Sequence, residues 1–165
     1  VAPEADPMLR LAALVETDAE GAAALARRLR LSNAWRERLC GLVPPWPLDP
    51  GADRPAQLHA LYRLGAERYR DLVLLRAAAG ETDAGRLAEL LDFARHTPVP
   101  VFPLRGRDVT RLGVPPGERV GRLLNAVQHW WEDGDFAAER AQCLARLRRL
   151  TRTESNPAAT TDPGK

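Results

Sequence analysis

The chain has 165 residues, 45% of them hydrophobic, enough to fill the core of one domain or of two small helical ones. Its 24 basic and 22 acidic residues leave a net charge of +2, which excludes a polycation, so any affinity for nucleic acid has to come from clustered charge. No apolar run approaches about 18 residues and no charged-then-apolar leader opens the chain, so neither a membrane span nor a secretory signal is expected.

Helical signals run from end to end. Asp6 before Pro7 reads as an N-cap with proline at the first helical position, and Met8, Leu11, Ala12 and Val15 follow at helical spacing. Thr17 to Glu20 reads as a capping box that opens a second helix reaching Arg30. Ser32 caps a third, with Trp35, Leu39 and Leu42 on one face, until Pro44 and Pro45 stop it. A proline-rich connection, residues 44–55, encloses Trp46 and marks a boundary between helical layers. Residues 55–64 and 66–79 carry two more helical patterns parted by Gly65, with Gly80 as the expected terminator. Thr82 or Asp83 starts the next, striped by Leu87, Leu90, Leu91 and Ala94.

Pro98, Pro100 and Pro103 then impose an extended run. Residues 108–112 suffice only for a short helix, residues 117–133 make a longer one ending at Gly134, and Asp135 is expected to cap a last helix over 136–150. From Thr151 onward the composition predicts a disordered tail. The lack of period-two alternation makes the fold all-α, a compact array of about eight or nine helices with no substantial sheet. We divide it into helical body segments 1–45 and 46–97, a helical tail 98–150 and the disordered end 151–165.

Cys40 and Cys143, far apart on apolar helix faces, fit reduced, buried thiols and a cytoplasmic protein. His59, His96 and His129 have no zinc-like spacing. Asp133-Gly134-Asp135 has the spacing of a metal-binding carboxylate pair, but ending one helix and starting another is its better reading, so no metal site is assigned. Trp35, Trp46, Trp130 and Trp131 read as core aromatics rather than base-stacking platforms.

The most informative stretch is residues 105–122, where five arginines stand against two acids around Gly113-Val114-Pro115-Pro116-Gly117. Two glycines allow left-handed backbone, two prolines stiffen the corner, and the next helix starts with its first N–H groups unpaired and partly positive. Such a corner can present amides to a phosphate. A second arginine cluster, Arg27, Arg28, Arg30, Arg36 and Arg38, faces only Glu37, and a third spans Arg140 to Arg152 with no acid between.

Residues 27–34, Tyr62 to Glu67 and above all the pattern Gly106, Asp108, Val109, Gly113, Val114, Pro116, Gly117, Val120, Gly121 and Leu124 resemble the C-terminal body and tail of bacterial class II CCA-adding tRNA nucleotidyltransferases and their poly(A) polymerase relatives. The resemblance covers roughly residues 5–150. In that family a head carries a Gly-Ser turn and paired carboxylates for catalytic metal ions, and a neck carries a Glu-Asp-x-x-Arg block that selects CTP or ATP. Neither motif occurs in this chain, which opens on Val1 and is read as a fragment or processed form.

The resemblance therefore implies the tRNA-holding part of such an enzyme, positioning the acceptor end for 3′-terminal nucleotide addition by the head. The chain alone is expected to be inactive and to need no cofactor, while the parent enzyme is implied to use Mg and CTP or ATP. The implied partner is tRNA, held on its acceptor stem and T-loop side, with no membrane involvement. Loss of head and neck also exposes surface through which the fragment can form a homodimer. The expected phosphate contacts are Arg105, Arg107, Arg111, Arg119 and Arg122 with backbone at Gly113, Pro116, Gly117 and Gly121, and a second patch of Arg28, Arg30 and Arg36. The alternative is a helical protein-interaction scaffold with a groove near Trp46 or Trp130; a free-standing enzyme lacks an assembled nucleophile, base or metal cluster.

Overall fold

The computed structural model describes residues 6–155, which form nine α-helices and no strand. Helices α1 (Pro7–Leu14), α2 (Ala19–Arg28), α3 (Asn33–Leu42), α4 (Arg54–Leu64), α5 (Ala66–Ala78) and α6 (Ala84–His96) belong to one compact unit ending at Val99. Helices α7 (Gly106–Thr110), α8 (Glu118–Asp133) and α9 (Arg140–Ser155) belong to a second unit that begins at Pro100.

Most helix starts are set by short polar side chains that take up an orphan N–H. Asp6 accepts from Met8 N–H at 2.8 Å, Ser32 from Trp35 at 3.3 Å, Asp53 from Ala56 at 3.0 Å and Asp83 from Arg86 at 2.8 Å. The start of α2 differs from the expected capping box: Asp18, not Thr17, is the cap, accepting from Gly21 N–H at 2.9 Å. The cap moves by one residue because the Asp18 carboxylate takes up the N3 amide of Gly21.

Three helices end in the same wrapped geometry, and only one uses glycine for it. After α5, Gly80 is left-handed (φ 76°) and Glu81 N–H returns to Arg76 C=O at 2.9 Å, a closure that the Arg76–Glu81 ion pair reinforces. After α2 the left-handed position falls on Arg30 (φ 53°), with Leu31 N–H on Ala26 C=O at 2.9 Å. After α8 it falls on Asp135 (φ 52°), with Phe136 N–H on Trp131 C=O at 3.0 Å.

In the first unit α5 is central, packing on α1, α3, α4 and α6, while α2 packs on α3. Leu39, Leu42, Leu61, Tyr69, Leu72, Val73 and Leu90 are buried in its core together with Met8 and Ala22. Each fully buried leucine contributes about 1.5–3 kcal/mol relative to exposure. Two polar devices are built into this core. Tyr69 Oη donates to Gln57 Oε1 at 2.7 Å, and Gln57 Nε2 donates to Asp49 C=O at 2.7 Å, holding the loop before α4. Arg38 bridges Asp6 at 2.7 Å and the buried Asp71 at 2.9 Å, tying α1, α3 and α5 together.

Trp35 departs from the core reading. It is 46% exposed, whereas Leu39 and Leu42, four and seven residues further along the same helix, are buried. Trp46 is half-buried, its Nε1 donating to Leu42 C=O at 2.7 Å and its ring covered by Arg76 at 5.1 Å.

In the second unit Leu123, Val127 and Trp131 of α8 pack with Cys143 and Leu147 of α9, at i, i+4 spacing on each helix. Trp131 meets Phe102 at 5.4 Å and Phe136 at 5.0 Å and donates to Ala138 C=O at 3.0 Å. This pairing corrects the start of the last helix: Phe136 is folded back under Trp131, so the helix begins at Arg140 and Asp135 is no cap. Gln142 instead accepts from Glu139 N–H at 2.8 Å. The helix also runs past Leu150 to Ser155, and the remainder of the expected disordered tail lies outside the described residues.

Both cysteines are free; Cys143 is buried, which pushes its thiol pKa up, while Cys40 is only half-buried. No helix among the described residues is long and apolar enough to cross a membrane.

Candidate nucleic-acid interface

The segment from Arg105 to Arg122 is organised by a single carboxylate. Asp108 is 4% exposed; its Oδ2 accepts from Arg105 N–H at 2.8 Å and closes the first turn of α7. Its Oδ1 takes Arg140 Nη2 at 2.6 Å, and Arg140 also donates to Pro103 C=O. The Arg140 guanidinium first, then the Arg105 amide, hold the Asp108 carboxyl below the usual carboxylate range against the opposing effect of burial. Arg140, which the sequence places in a basic run, therefore serves as a structural tie.

Val109 and Val114, both buried, anchor the two sides of the bend, and Gly113 N–H donates to Thr110 C=O at 3.0 Å. The bend itself stays outside. Gly113, Pro115, Pro116 and Gly117 are exposed, with φ of 84° at Gly113 and 149° at Gly117, values that only glycine adopts without strain. No side chain caps the N-terminus of α8 at Gly117, so its partial positive charge faces solvent.

The short α7 packs on α8, and a Cβ added to Gly106 would lie 3.7 Å from Val120 Cγ1. The arginines flanking Gly106, Arg105 and Arg107, are thus carried beside the start of α8, whose first two turns bear Arg119 and Arg122. Arg105, Arg107, Arg111 and Arg122 are exposed and Arg119 is half-buried. Arg122 approaches the exposed Glu118 at 3.5 Å, a solvent-screened pair that leaves the arginine available. Gly121 is exposed with open space where a Cβ would go.

Arg28, Arg30 and Arg36 lie in the other unit, where the C-terminus of α2 meets the N-terminus of α3. Arg28 and Arg30 are exposed and Arg36 is half-buried. Arg38 is withdrawn from that patch by its two aspartates. What sequence reading missed is this division of labour: Arg38 and Arg140 are committed to buried carboxylates, and the only available hint was that Asp71 and Asp108 sit among apolar neighbours in helical registers that face the core.

Among the described residues no group of three or more His, Cys, Asp or Glu side chains is placed to hold a metal ion. Asp133 ends α8 and Asp135 lies in the turn after it. A cleft of about 650 Å³ beside α4 and α6 contains Arg54 and Arg86. Arg54 lies over Phe93 at 5.2 Å, and Arg86 donates to Pro50 and Ala52 C=O at 2.9 Å each, so both cations serve internal contacts.

No family model matches the chain, and no solved structure matches it significantly. Among curated proteins it is similar to CCA tRNA nucleotidyltransferase 1, mitochondrial, of Mus musculus, with 26% identity over 91 residues, covering 49% of this chain. The similarity extends over 20% of that relative, so the chain corresponds to a small part of its length.

Proposed function

We propose that the chain is an RNA-holding helical region of a tRNA nucleotidyltransferase, comparable to the body and tail of a bacterial class II CCA-adding enzyme or a related poly(A) polymerase. It grips the acceptor stem and T-loop side of tRNA while a head domain elsewhere adds nucleotides to the 3′ end. The observation that carries this reading is the solvent-facing Gly113–Gly117 bend, with exposed arginines on both sides and an uncapped helix start behind it. The similarity to a CCA tRNA nucleotidyltransferase supports the class of substrate.

Arg105, Arg107, Arg111, Arg119 and Arg122 would contact phosphates through guanidinium forks, and the amides near Gly117 would meet a phosphate from the backbone side. Recognition of this kind selects shape rather than base sequence, because an A-form major groove admits no side chains. Arg28, Arg30 and Arg36 would add a second set of contacts. Metal ions and CTP or ATP belong, on this reading, to the head, and nucleotidyl transfer assays on the chain alone should incorporate nothing.

The test is a fluorescence anisotropy titration of the chain with tRNA across a salt series. Binding should weaken linearly in log–log form, with a slope of about −0.7 to −0.9 per neutralised phosphate. Absence of binding, or binding indifferent to salt, would refute the reading.

A further inference from the structure

We infer that Trp35 is a stacking platform for an unpaired base, which makes the α2–α3 corner a single-stranded RNA site within the RNA-holding function proposed above, on which this inference rests. Among the tryptophans this indole alone stands open. Trp131 is buried, and Trp46 and Trp130 lie under the guanidinium groups of Arg76 and Arg146 at 5.1 and 5.9 Å. Trp35 is 46% exposed, and its side chain has no ring or hydrogen-bond partner among the described residues.

The backbone that carries the indole is held by a cap. Trp35 N–H donates to Ser32 Oγ at 3.3 Å, so the ring projects from a capped first turn rather than from a loop. The turn from Leu29 to Ser32 brings the last residues of α2 to the same end of the helix pair as the first turn of α3. That end carries exposed Arg27, Arg28 and Arg30 and half-buried Arg36, with Glu37 the lone acid between residues 27 and 38.

Arg30 occupies a left-handed position (φ 53°), a conformation that glycine would adopt without strain. An open aromatic ring flanked by cations suits a nucleotide: the base stacks on the ring while arginines meet the phosphates on either side. Only an unpaired base offers both faces, so a loop or a 3′ overhang is the fitting segment and a closed duplex is not. A protein partner would be a poorer match, because the exposed Leu29 and Trp35 would have to be buried among at least three unpaired cations.

The experiment uses the full chain with two fluorescein-labelled ligands, a single-stranded oligoribonucleotide and a blunt RNA duplex, each titrated by anisotropy, with sedimentation velocity alongside. Trp35→Ala should weaken binding of the single strand about 5- to 150-fold and leave duplex binding unchanged. Trp35→Phe should retain more of the single-strand affinity than Trp35→Leu, since leucine supplies apolar area without a π face. Because the ring is exposed, all three variants should keep the parental far-UV circular dichroism and melting midpoint. The inference is overturned, with the phosphate-gripping reading left standing, if the duplex binds but Trp35→Ala leaves the single strand unaffected, or if leucine substitutes as well as phenylalanine. Loss of self-association in Trp35→Ala with RNA affinity unchanged would instead make the corner a contact between copies. If the unsubstituted chain binds neither RNA, both readings fall together.

Discussion

Arg140 Nη2 lies 2.6 Å from Asp108 Oδ1, joining the first turn of α9 to the buried acid of α7. Through this pair and the Arg105 amide, an almost wholly buried carboxylate ties together the segment that leads into the arginine-bearing bend.

Its pH dependence follows. The folded carboxyl is held below its unfolded value, so its stabilising contribution is present above the unfolded pKa of about 3.9 and is lost as pH falls through the lower folded value. Urea midpoints measured from pH 6 to pH 2 should fall on the acid side, and Asp108→Ala should flatten part of that limb. At neutral pH the variant should cost about 0.5–2 kcal/mol, as a lost cap does.

The alkaline limb belongs to Tyr69. Burial, partly offset by the charge of Arg86, pushes its hydroxyl pKa up to about 12. A raised folded pKa means stability is intact below the unfolded value of about 10 and is lost as pH rises through 12. Thermal denaturation between pH 9 and 12 should show this decline, and Tyr69→Phe should reduce it while costing about 0.5–1.5 kcal/mol at pH 7 for the lost bond to Gln57.

Arg30→Gly should separate folding from binding. Glycine relieves the left-handed backbone at the α2 C-terminus and should raise stability by about 0.5–1 kcal/mol by chemical denaturation. The same substitution removes a proposed phosphate contact, so the salt slope for tRNA should drop by up to about 0.9.

Gly121→Ala makes a similar contrast on α8. Open space surrounds the position and its φ is not positive, so alanine should stabilise the helix by about 0.5–1 kcal/mol. If RNA backbone approaches α8 closely there, tRNA affinity should nevertheless fall; an unchanged titration would remove Gly121 from the interface.

Arg119→Glu combined with Arg122→Glu tests the bend directly. Reversing two charges should weaken tRNA binding more than tenfold at low salt and shrink the salt slope by about 2. The far-UV spectrum should not change. Unaltered tRNA affinity in this double variant would separate the arginine bend from RNA binding.

How far the fold was legible depends on the range of the interaction that decides each feature. The all-helical class, the caps at Asp6 and Ser32, the terminator at Gly80 and the Gly113–Gly117 bend could be read because each is decided by hydrogen bonds or dihedral limits within about five residues. Asp135 was misplaced because its conformation depends on Phe136 folding back onto Trp131, and ring packing competes with capping in a way that letters do not rank. The arginine clusters were visible as composition, yet their roles were not.

By itself, then, the amino-acid order determines where most of the helices start and stop and that one corner is stiff, cationic and glycine-hinged. Tertiary structure alone decides which cations remain for a ligand. Arg38 finds Asp71 at 33 residues' separation and Arg140 finds Asp108 at 32, whereas Trp35 is left 46% exposed. Charge and burial are properties of the surroundings that distant segments create, and a residue's sequence neighbours carry no record of them.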